Sequence, residues 1–319
     1  MADGDLGLAI RTVVRDCIAV ARGEELLVVA NPATQDLGER IRAEGESLGA
    51  EAVLALMGER VSHAAEPPAV IAAAMAEADA VLAPTVQSLS HTAARKAASE
   101  AGTRIATLPG VTEEMLARVM SADMDGLRQK GHAIADRLTG GTEARVTCAN
   151  GSDLMLALGD RVAIPDAGEL GESGAFGNLP CGEGFVAPVS GEGRLVVDGT
   201  IAAVGVPSEP VELEIADGHL ISASGDDGAR LMELLTEHGP DGTTIAELGI
   251  GTNEKASLTG NVLEDEKILG TAHIAFGASA AIGGTVQVPV HLDCVVMEPE
   301  VSVDGEAIVR DGKLLMTCS

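Results

Sequence analysis

The sequence predicts an α/β protein in two parts: an N-terminal parallel-sheet α/β domain over residues 1–140, followed by a β-rich α+β domain over residues 141–319. The first part alternates short apolar runs with longer helical patterns, which is the order typical of a parallel sheet covered by helices. After Gly140 and Gly141 the pattern changes to short strands separated by glycine turns. That change indicates antiparallel β structure.

The first domain contains four apolar runs that predict strands, the first of them buried, with helical patterns between them. The predicted strands are LLVVAN at 26–31, AVLALM at 52–57, AVLAPT at 80–85 and RIATLP at 104–109. The predicted helices lie near 34–48, 67–77, 91–101 and 112–138. None of these strands leads into a G-x-G-x-x-G, Walker or G-x-S-x-G turn, so nucleotide binding and serine-hydrolase chemistry have no support.

The composition argues against several classes of function. A formal net charge of -28 argues against nucleic acid and against anionic membrane surfaces as partners. The N-terminus has neither a basic region nor an apolar signal core, so we expect a soluble, cytoplasmic protein. The five cysteines are scattered singly, which fits a reducing compartment. Because the chain has no Trp and no Tyr, no step in its chemistry uses a tyrosine as acid, base or metal ligand.

Histidines and carboxylates inside predicted strands of the second domain indicate a metal site. In VPVHLDCVV, His291 and Asp293 are two positions apart, so their side chains leave the strand on the same face. A carboxylate buried on such a strand is costly unless it is paired or bound to a metal; a salt-bridged pair in a hairpin is the alternative. His273 in TAHIAFG and Glu247 in IAELGIG lie in similarly apolar runs, and together the four residues predict one buried site.

Two other segments of the second domain carry acidic residues. In GNLPCGEGFVAP, Glu183 sits in a loop constrained by Gly and Pro, and such loops often deliver ligands. In TGNVLEDEKILG, the charged residues 264–267 predict a solvated helix start with Asn261 as its cap. The alternative is that Glu264 or Lys267 supports the metal ligands from behind.

The first domain offers one candidate catalytic side chain, His91. The segment SLSHTAARKAA places His91 at the start of a helix that follows a strand, with Arg95 one turn further on. Residues at the carboxyl end of a parallel strand face the usual ligand crevice, so His91 is a candidate acid or base. A solvent-facing histidine on a capped helix is the alternative.

These segments together resemble the thermophilic metallopeptidase family that includes aminopeptidase T and aminopeptidase S. In the second domain the resemblance is carried by GAFGNLPCGEGFVAP, AELGIGTN, TGNVLEDEKILGTAHIAFG, GGTVQVPVHLDCVV and VDGEAIVRDGKLL. In the first domain it is carried by SLSHTAARKAA and ATLPGVTEEM. The resemblance implies that the metal ligands are Glu183, Glu247, His273, His291 and Asp293. This set suits two divalent ions that share a carboxylate, with zinc, cobalt or manganese as the expected metals.

The resemblance implies a metal-dependent hydrolase in which metal-activated water attacks a peptide or amide carbonyl. An acidic group such as Glu183 or Glu247 is then expected to position water or metal. The substrate is expected to be a short peptide or other small molecule. Family resemblance also implies a homodimer.

One departure from the family pattern supports a different function. The family has a tyrosine shortly after its first histidine, and GASAAIGG at the matching place contains none. The compact homologues that this chain resembles in length include ring-opening 2,5-dihydroxypyridine dioxygenases, which keep one iron(II) on a two-histidine, one-carboxylate triad. The alternative function is therefore iron(II)-dependent ring cleavage that uses His291, Asp293 and one further ligand, with His91 as acid or base. A binding protein without turnover is the third hypothesis.

Overall fold

The computed structural model describes residues 3–315. The α-helices in chain order are α1 (Asp3–Arg11), α2 (Gln35–Leu48), α3 (Ala69–Glu77), α4 (Ala93–Ala101), α5 (Glu113–Val119), α6 (Met124–Thr139), α7 (Gly225–Thr236) and α8 (Val262–Asp265). The first nine strands are β1 (Glu25–Ala30), β2 (Glu51–Leu56), β3 (Ala80–Ala83), β4 (Arg104–Thr107), β5 (Glu143–Thr147), β6 (Asp153–Ala157), β7 (Ile164–Asp166), β8 (Phe176–Asn178) and β9 (Glu183–Val186). The remaining strands are β10 (Ser190–Val197), β11 (Val211–Ala216), β12 (His219–Ala223), β13 (Ile245–Gly251), β14 (Ala272–Gly277), β15 (His291–Val296), β16 (Glu300–Val303), β17 (Glu306–Arg310) and β18 (Lys313–Leu314). Within residues 3–315, no helix is both long enough and apolar enough to cross a membrane.

The contacts divide the chain into two compact units. The first unit comprises Met1–Ala122 and Gly168–Cys181, and the second comprises Asp123–Ala167 and Gly182–Ser319. This division differs from the predicted boundary at 140/141. The reason is that α6 packs against β7 and β9 of the second unit, whereas β8 pairs with β4 of the first.

The first unit is built on a five-stranded parallel sheet in the order β2-β1-β3-β4-β8. The apolar run of β1 is buried from its second residue onward, as expected of a parallel strand covered on both faces. Helices α2 and α4 end at Gly49 (φ 89°) and Gly102 (φ 106°), in the left-handed conformation that favours glycine at a helix end. The predicted parallel-sheet α/β class is confirmed.

The single helix predicted over 112–138 is two helices, α5 and α6. The first ends near Met120, and the hydroxyl of Ser121 donates a hydrogen bond to the carbonyl of Arg118. Asp123 then adopts an extended conformation (φ -65°, ψ 97°) before α6 begins. Local hydrogen bonding of this kind competes with helix continuation, which a periodicity of apolar residues does not reveal.

The second unit contains two antiparallel sheets and confirms the predicted β-rich part. One sheet has eight strands in the order β12-β11-β10-β6-β5-β16-β17-β18, and the other has five in the order β15-β14-β13-β9-β7. Apolar side chains from both sheets and from α6 and α7 form one core. The core therefore covers one face of the five-stranded sheet.

Alternation along the five-stranded sheet separates its two faces. On β14, Ala272, Ile274 and Phe276 face the core, and on β15, Leu292 and Cys294 do the same. The residues between them point to the opposite face, because successive side chains of a strand alternate. That opposite face carries the predicted metal ligands.

Candidate metal centre

Four neighbouring strands bring the predicted ligands to one face of the five-stranded sheet. Glu183 opens β9, Glu247 lies on β13, His273 on β14, and His291 and Asp293 on β15. The strand register sets these positions, because residues paired across neighbouring strands share a face.

The five side chains form a continuous series of contacts from Glu183 to Asp293. His273 Nε2 is 3.1 Å from Glu183 Oε2 and 3.3 Å from Glu247 Oε1. His291 Nε2 is 3.5 Å from Glu247 Oε2 and 3.3 Å from Asp293 Oδ1. The structure therefore brings together two imidazoles and three carboxylates, and their role as metal ligands stays a prediction.

A glycine makes room for the imidazole of His273. Gly249 pairs with His273 across β13 and β14, and a Cβ added at Gly249 would lie 2.1 Å from Nε2 of that ring. Any other residue would therefore push the ring away. The missing side chain at Gly249 is a requirement of the site, since no real Cβ atom approaches a heavy atom so closely.

The imidazole of His291 is oriented from behind by the backbone. Its Nδ1 lies 2.7 Å from the carbonyl oxygen of Ala278, a distance at which Nδ1–H donates to that oxygen. This hydrogen bond directs Nε2 toward Glu247 and Asp293. A histidine held in this way is the usual arrangement of a metal ligand.

A buried lysine, Lys267, completes the cluster, although the sequence predicted a solvated helix start at this place. Its side chain is 1% exposed, and its ammonium contacts an oxygen of Glu183 directly, Glu266 Oε1 at 2.6 Å and Asp166 Oδ2 at 3.5 Å. The expectation of solvent exposure for residues 264–267 is wrong, because all four are buried.

The burial of residues 264–267 follows from hydrogen bonds that the preceding turn provides. Glu264 Oε1 accepts a hydrogen bond from the backbone N–H of Ser257 at 2.9 Å. Asp265 accepts from the N–H groups of Thr259 at 2.8 Å and Gly260 at 2.7 Å. Asn261 caps α8 as predicted, accepting from the N–H of Leu263. With Glu264 and Asp265 satisfied locally, Glu266 and Lys267 reach the metal-ligand cluster.

Burial and neighbouring charges perturb the acid–base behaviour of the two histidines. Burial alone would lower the pKa of His291, but the carboxylate of Asp293 outweighs it and raises that pKa to about 10. Burial also disfavours the charged form of His273, and Glu183 raises its pKa well above the usual range. Both imidazoles thus lie in an environment that favours positive charge.

The carboxyl groups divide into two kinds. Burial alone would raise the pKa values of Glu183 and Asp293, but neighbouring Lys267 and His291 respectively hold them below their usual range. Burial keeps the pKa of Glu247 raised, and it raises the pKa of Glu266 to about 8 despite Lys267. Burial likewise raises the pKa of Asp166 to about 7. Negative charge is therefore favoured on Glu183 and Asp293 and disfavoured on Glu247, Glu266 and Asp166.

The donor atoms fit a divalent cation. Ligand atoms within 4.8 Å of one another occur in two sets of three, Glu183 with Glu247 and His273, and Glu266 with His273 and Asp293. Glu183 Oε2 is close to His273 but lacks hydrogen-bond alignment, and it is buried without a hydrogen-bond partner among the described residues. A buried carboxylate oxygen in that position is stabilised by a cation.

Sequence reasoning missed three members of the cluster: Asp166, Glu266 and, except as an alternative, Lys267. Asp166 pairs with Glu183 across β7 and β9, a contact that no local pattern indicates. A run of charges is usually solvated, so the segment of Lys267 offered no signal of burial. The hydroxyl and glycine residues before it, which bond to Glu264 and Asp265, were the only local sign.

His91 belongs to the first unit and immediately precedes the N-cap of α4. The hydroxyl of that cap, Thr92, accepts a hydrogen bond from the N–H of Arg95 at 3.2 Å. His91 is exposed. The predicted position at a helix start after a parallel strand is thus observed, and the catalytic role of His91 stays a prediction.

Residues 17–316 match the sequence profile of the 2,5-dihydroxypyridine 5,6-dioxygenase (NicX) family. The chain belongs to this family. A 2,5-dihydroxypyridine 5,6-dioxygenase of Pseudomonas putida KT2440 is 26% identical over 245 residues, which are 71% of this chain and 69% of that protein.

Two solved structures have a similar fold. The 2,5-dihydroxypyridine dioxygenase of Pseudomonas putida KT2440 has a TM-score of 0.85 at 21% identity and covers 99% of both chains. Wild-type AmpT from Thermus thermophilus has a TM-score of 0.73 at 18% identity, covering 98% of this chain and 99% of its own. At these identities the likeness shows the fold alone.

The family assignment corrects the functional prediction. The expectation of a hydrolase of the aminopeptidase or metallopeptidase type is wrong, because the sequence match is to a dioxygenase family. The resemblance to compact dioxygenase-like homologues, and with it the alternative function, is supported. The absent tyrosine and the length of the chain were the features of the sequence that supported the dioxygenase alternative.

Proposed function

We propose that this chain is an iron(II)-dependent, ring-cleaving dioxygenase that acts on 2,5-dihydroxypyridine. The observation that carries the proposal is that His273 and His291 both contact Glu247, and His291 also contacts Asp293, on one sheet face of a chain of the dioxygenase family. Two histidines and one carboxylate with open positions are the usual ligands of non-haem iron oxygenases.

His273, His291 and Asp293 are the proposed iron ligands. Glu247 contacts both imidazoles, at 3.3 Å and 3.5 Å, and offers a fourth donor at the same place. When bound, the iron supplies the one-electron chemistry that a reaction between dioxygen and an aromatic ring requires.

The chain itself orients the ligands and keeps bulk water away from them. The carbonyl of Ala278 holds His291 with Nε2 facing inward, and the bare backbone of Gly249 accommodates the ring of His273. His273 is 0% exposed and Asp293 is 8% exposed. Rigid ligands in a site with little solvent access protect a reactive centre from side reactions.

His91 is the proposed acid or base for the ring hydroxyl of the substrate. An imidazole changes its charge between about pH 5 and pH 8, which suits removal of a hydroxyl proton near neutral pH. Replacing His91 by alanine is expected to lower turnover by about a hundredfold or more, with the iron content equal to that of the wild type. A loss of iron together with activity would show that His91 acts on the metal site instead.

Oxygen uptake tests the proposed function directly. Protein reconstituted anaerobically with iron(II) is mixed with 2,5-dihydroxypyridine, and dioxygen consumption is followed with loss of the ring absorbance. We expect equimolar consumption of the two, and none in the same protein loaded with zinc, which has no redox chemistry. Full iron loading without oxygen uptake would overturn the proposal.

A further inference from the structure

The ammonium group of Lys267 lies among carboxylates as a bound cation would. Its three partners come from three segments: Glu183 from β9, Asp166 from β7 and Glu266 from the turn after α8. A fully buried lysine is rare unless it is paired. Here the pairing is with the cluster that also carries the proposed iron ligands.

The two carboxylate oxygens of Glu183 have different neighbours. Oε1 of Glu183 contacts the ammonium, and Oε2 lies 3.1 Å from His273 Nε2. Only Oε2 is therefore directed toward the imidazoles. A two-metal site needs ions about 3.5–4 Å apart that share ligands. With Oε1 in contact with the lysine ammonium, Oε2 is the oxygen of Glu183 that remains for a metal ion.

We propose that Lys267 occupies the place of a second cation and thereby limits this centre to one divalent metal ion. Lys267 is in this sense a positioning residue: it acts through Glu183, Glu266 and Asp166. The inference rests on the proposed function only in that the centre binds a divalent cation. The sequence alone suggested two ions, because five candidate ligands are present. Because the buried ammonium takes the place of one cation, we expect one metal ion.

Removing the positive charge leaves three buried carboxyl groups without their cation. A second divalent ion then has the ligands and the room that the ammonium held, since oxygen-rich groups favour such ions. The variants Lys267→Met and Lys267→Gln both remove the charge, and the glutamine keeps a hydrogen-bond donor for Glu183 and Glu266. Lys255→Met is the matched control, because the side chain of Lys255 is 46% exposed and pairs with Glu254 at 3.7 Å, away from the metal-ligand cluster.

The test uses Mn²⁺ alone as the probe, on the full chain purified with Mn²⁺ present throughout. Bound metal is counted by elemental analysis after equilibrium dialysis, and electron paramagnetic resonance distinguishes an isolated ion from a spin-coupled pair. We expect about one ion with an isolated signal for the wild type and Lys255→Met. For both Lys267 variants we expect about two ions and a coupled signal.

Three results would contradict these expectations, and they separate the two proposals. One ion per chain in both Lys267 variants overturns this inference and leaves the proposed function standing. Two coupled ions in the wild type also overturn it, whether or not the variants fold. A wild type that binds no Mn²⁺, Fe²⁺ or other divalent ion overturns both.

Discussion

His291 and His219 are strand histidines of the same unit with different surroundings. His291 contacts two carboxylates, whereas His219 faces the hydroxyls of Thr243 and Thr244 at 3.5 Å and 3.4 Å. Replacing His291 by alanine is expected to lower bound iron by about tenfold or more, with oxygen uptake falling in parallel. Replacing His219 by alanine leaves both unchanged. Equal iron content in the two variants would show that His291 is not a ligand.

The raised pKa values of the two site histidines predict a pH dependence of metal binding. Near neutral pH, protein treated with a chelator carries a proton on His291, whose pKa is about 10, and on His273. A metal binds only the neutral imidazole, so binding releases about two protons, and affinity falls as pH falls. Calorimetric titrations with Mn²⁺ in buffers of different ionisation enthalpy measure this release. Identical heats in all buffers would contradict it.

The raised pKa of His291 also makes the stability of the folded chain depend on pH. The pKa of His291 in the folded chain, about 10, is above the value of about 6.5 for an unfolded chain. The proton therefore stabilises the folded form fully below about pH 6.5, and that contribution disappears as pH rises through about 10. After metal removal, the chain is accordingly expected to lose this part of its stability on the alkaline side.

At the level of single elements, β13 makes room for the ring of His273 because Gly249 has no side chain. Replacing Gly249 by alanine would place Cβ 2.1 Å from His273 Nε2 and displace that ring. We expect the affinity for Fe²⁺ or Mn²⁺ to fall by about tenfold or more. The control is Gly58→Ala, where an added Cβ meets nothing within 4 Å. If Gly249→Ala binds metal as tightly as Gly58→Ala, the ring has room that the structure does not show.

The strands that carry the ligands were predictable, because their alternation is local. His291 and Asp293 share a face in any strand, and His273 and Glu247 lie in runs whose other members are apolar. The location of Lys267 was not predictable in the same way. Its main partner, Glu183, is 84 positions away, so its burial depends on a contact that exists only after the sheet has formed.

The packing partner of a helix is also not predictable from local sequence. The pattern of α6 is helical in the sequence, but nothing within Met124–Thr139 states which sheet it covers. Its packing against β7 and β9 assigns it to the second unit. Similarly, β8 is three residues long and pairs with β4 at a distance in sequence that no periodicity reports.

For the whole molecule, the assignment of α6 predicts the behaviour of fragments. A fragment of residues 141–319 lacks Leu127, Ile134 and Leu138, which are buried at 1%, 1% and 0% exposure. Each contributes roughly 1.5–3 kcal/mol of burial, so their combined loss is comparable to the stability of a domain. A fragment of residues 123–319 retains them. We expect cooperative thermal unfolding and Mn²⁺ binding from the longer fragment only, measured by circular dichroism and dialysis.

Equal behaviour of the two fragments would contradict the role assigned to α6.

The expected association into a homodimer stays a prediction. Sedimentation of the full chain measures it.

The placement of ligands on adjacent strands also bears on how the sheet finds its alignment. If β15 slipped by one residue against β14, His291 and Asp293 would turn to the apolar face, and Leu292 and Cys294 would take their place. A metal ion adds its binding free energy only to the correctly aligned sheet. The cation thus widens the energy gap between the native pairing and its nearest competitor, so that the supply of metal during synthesis becomes a factor in folding fidelity.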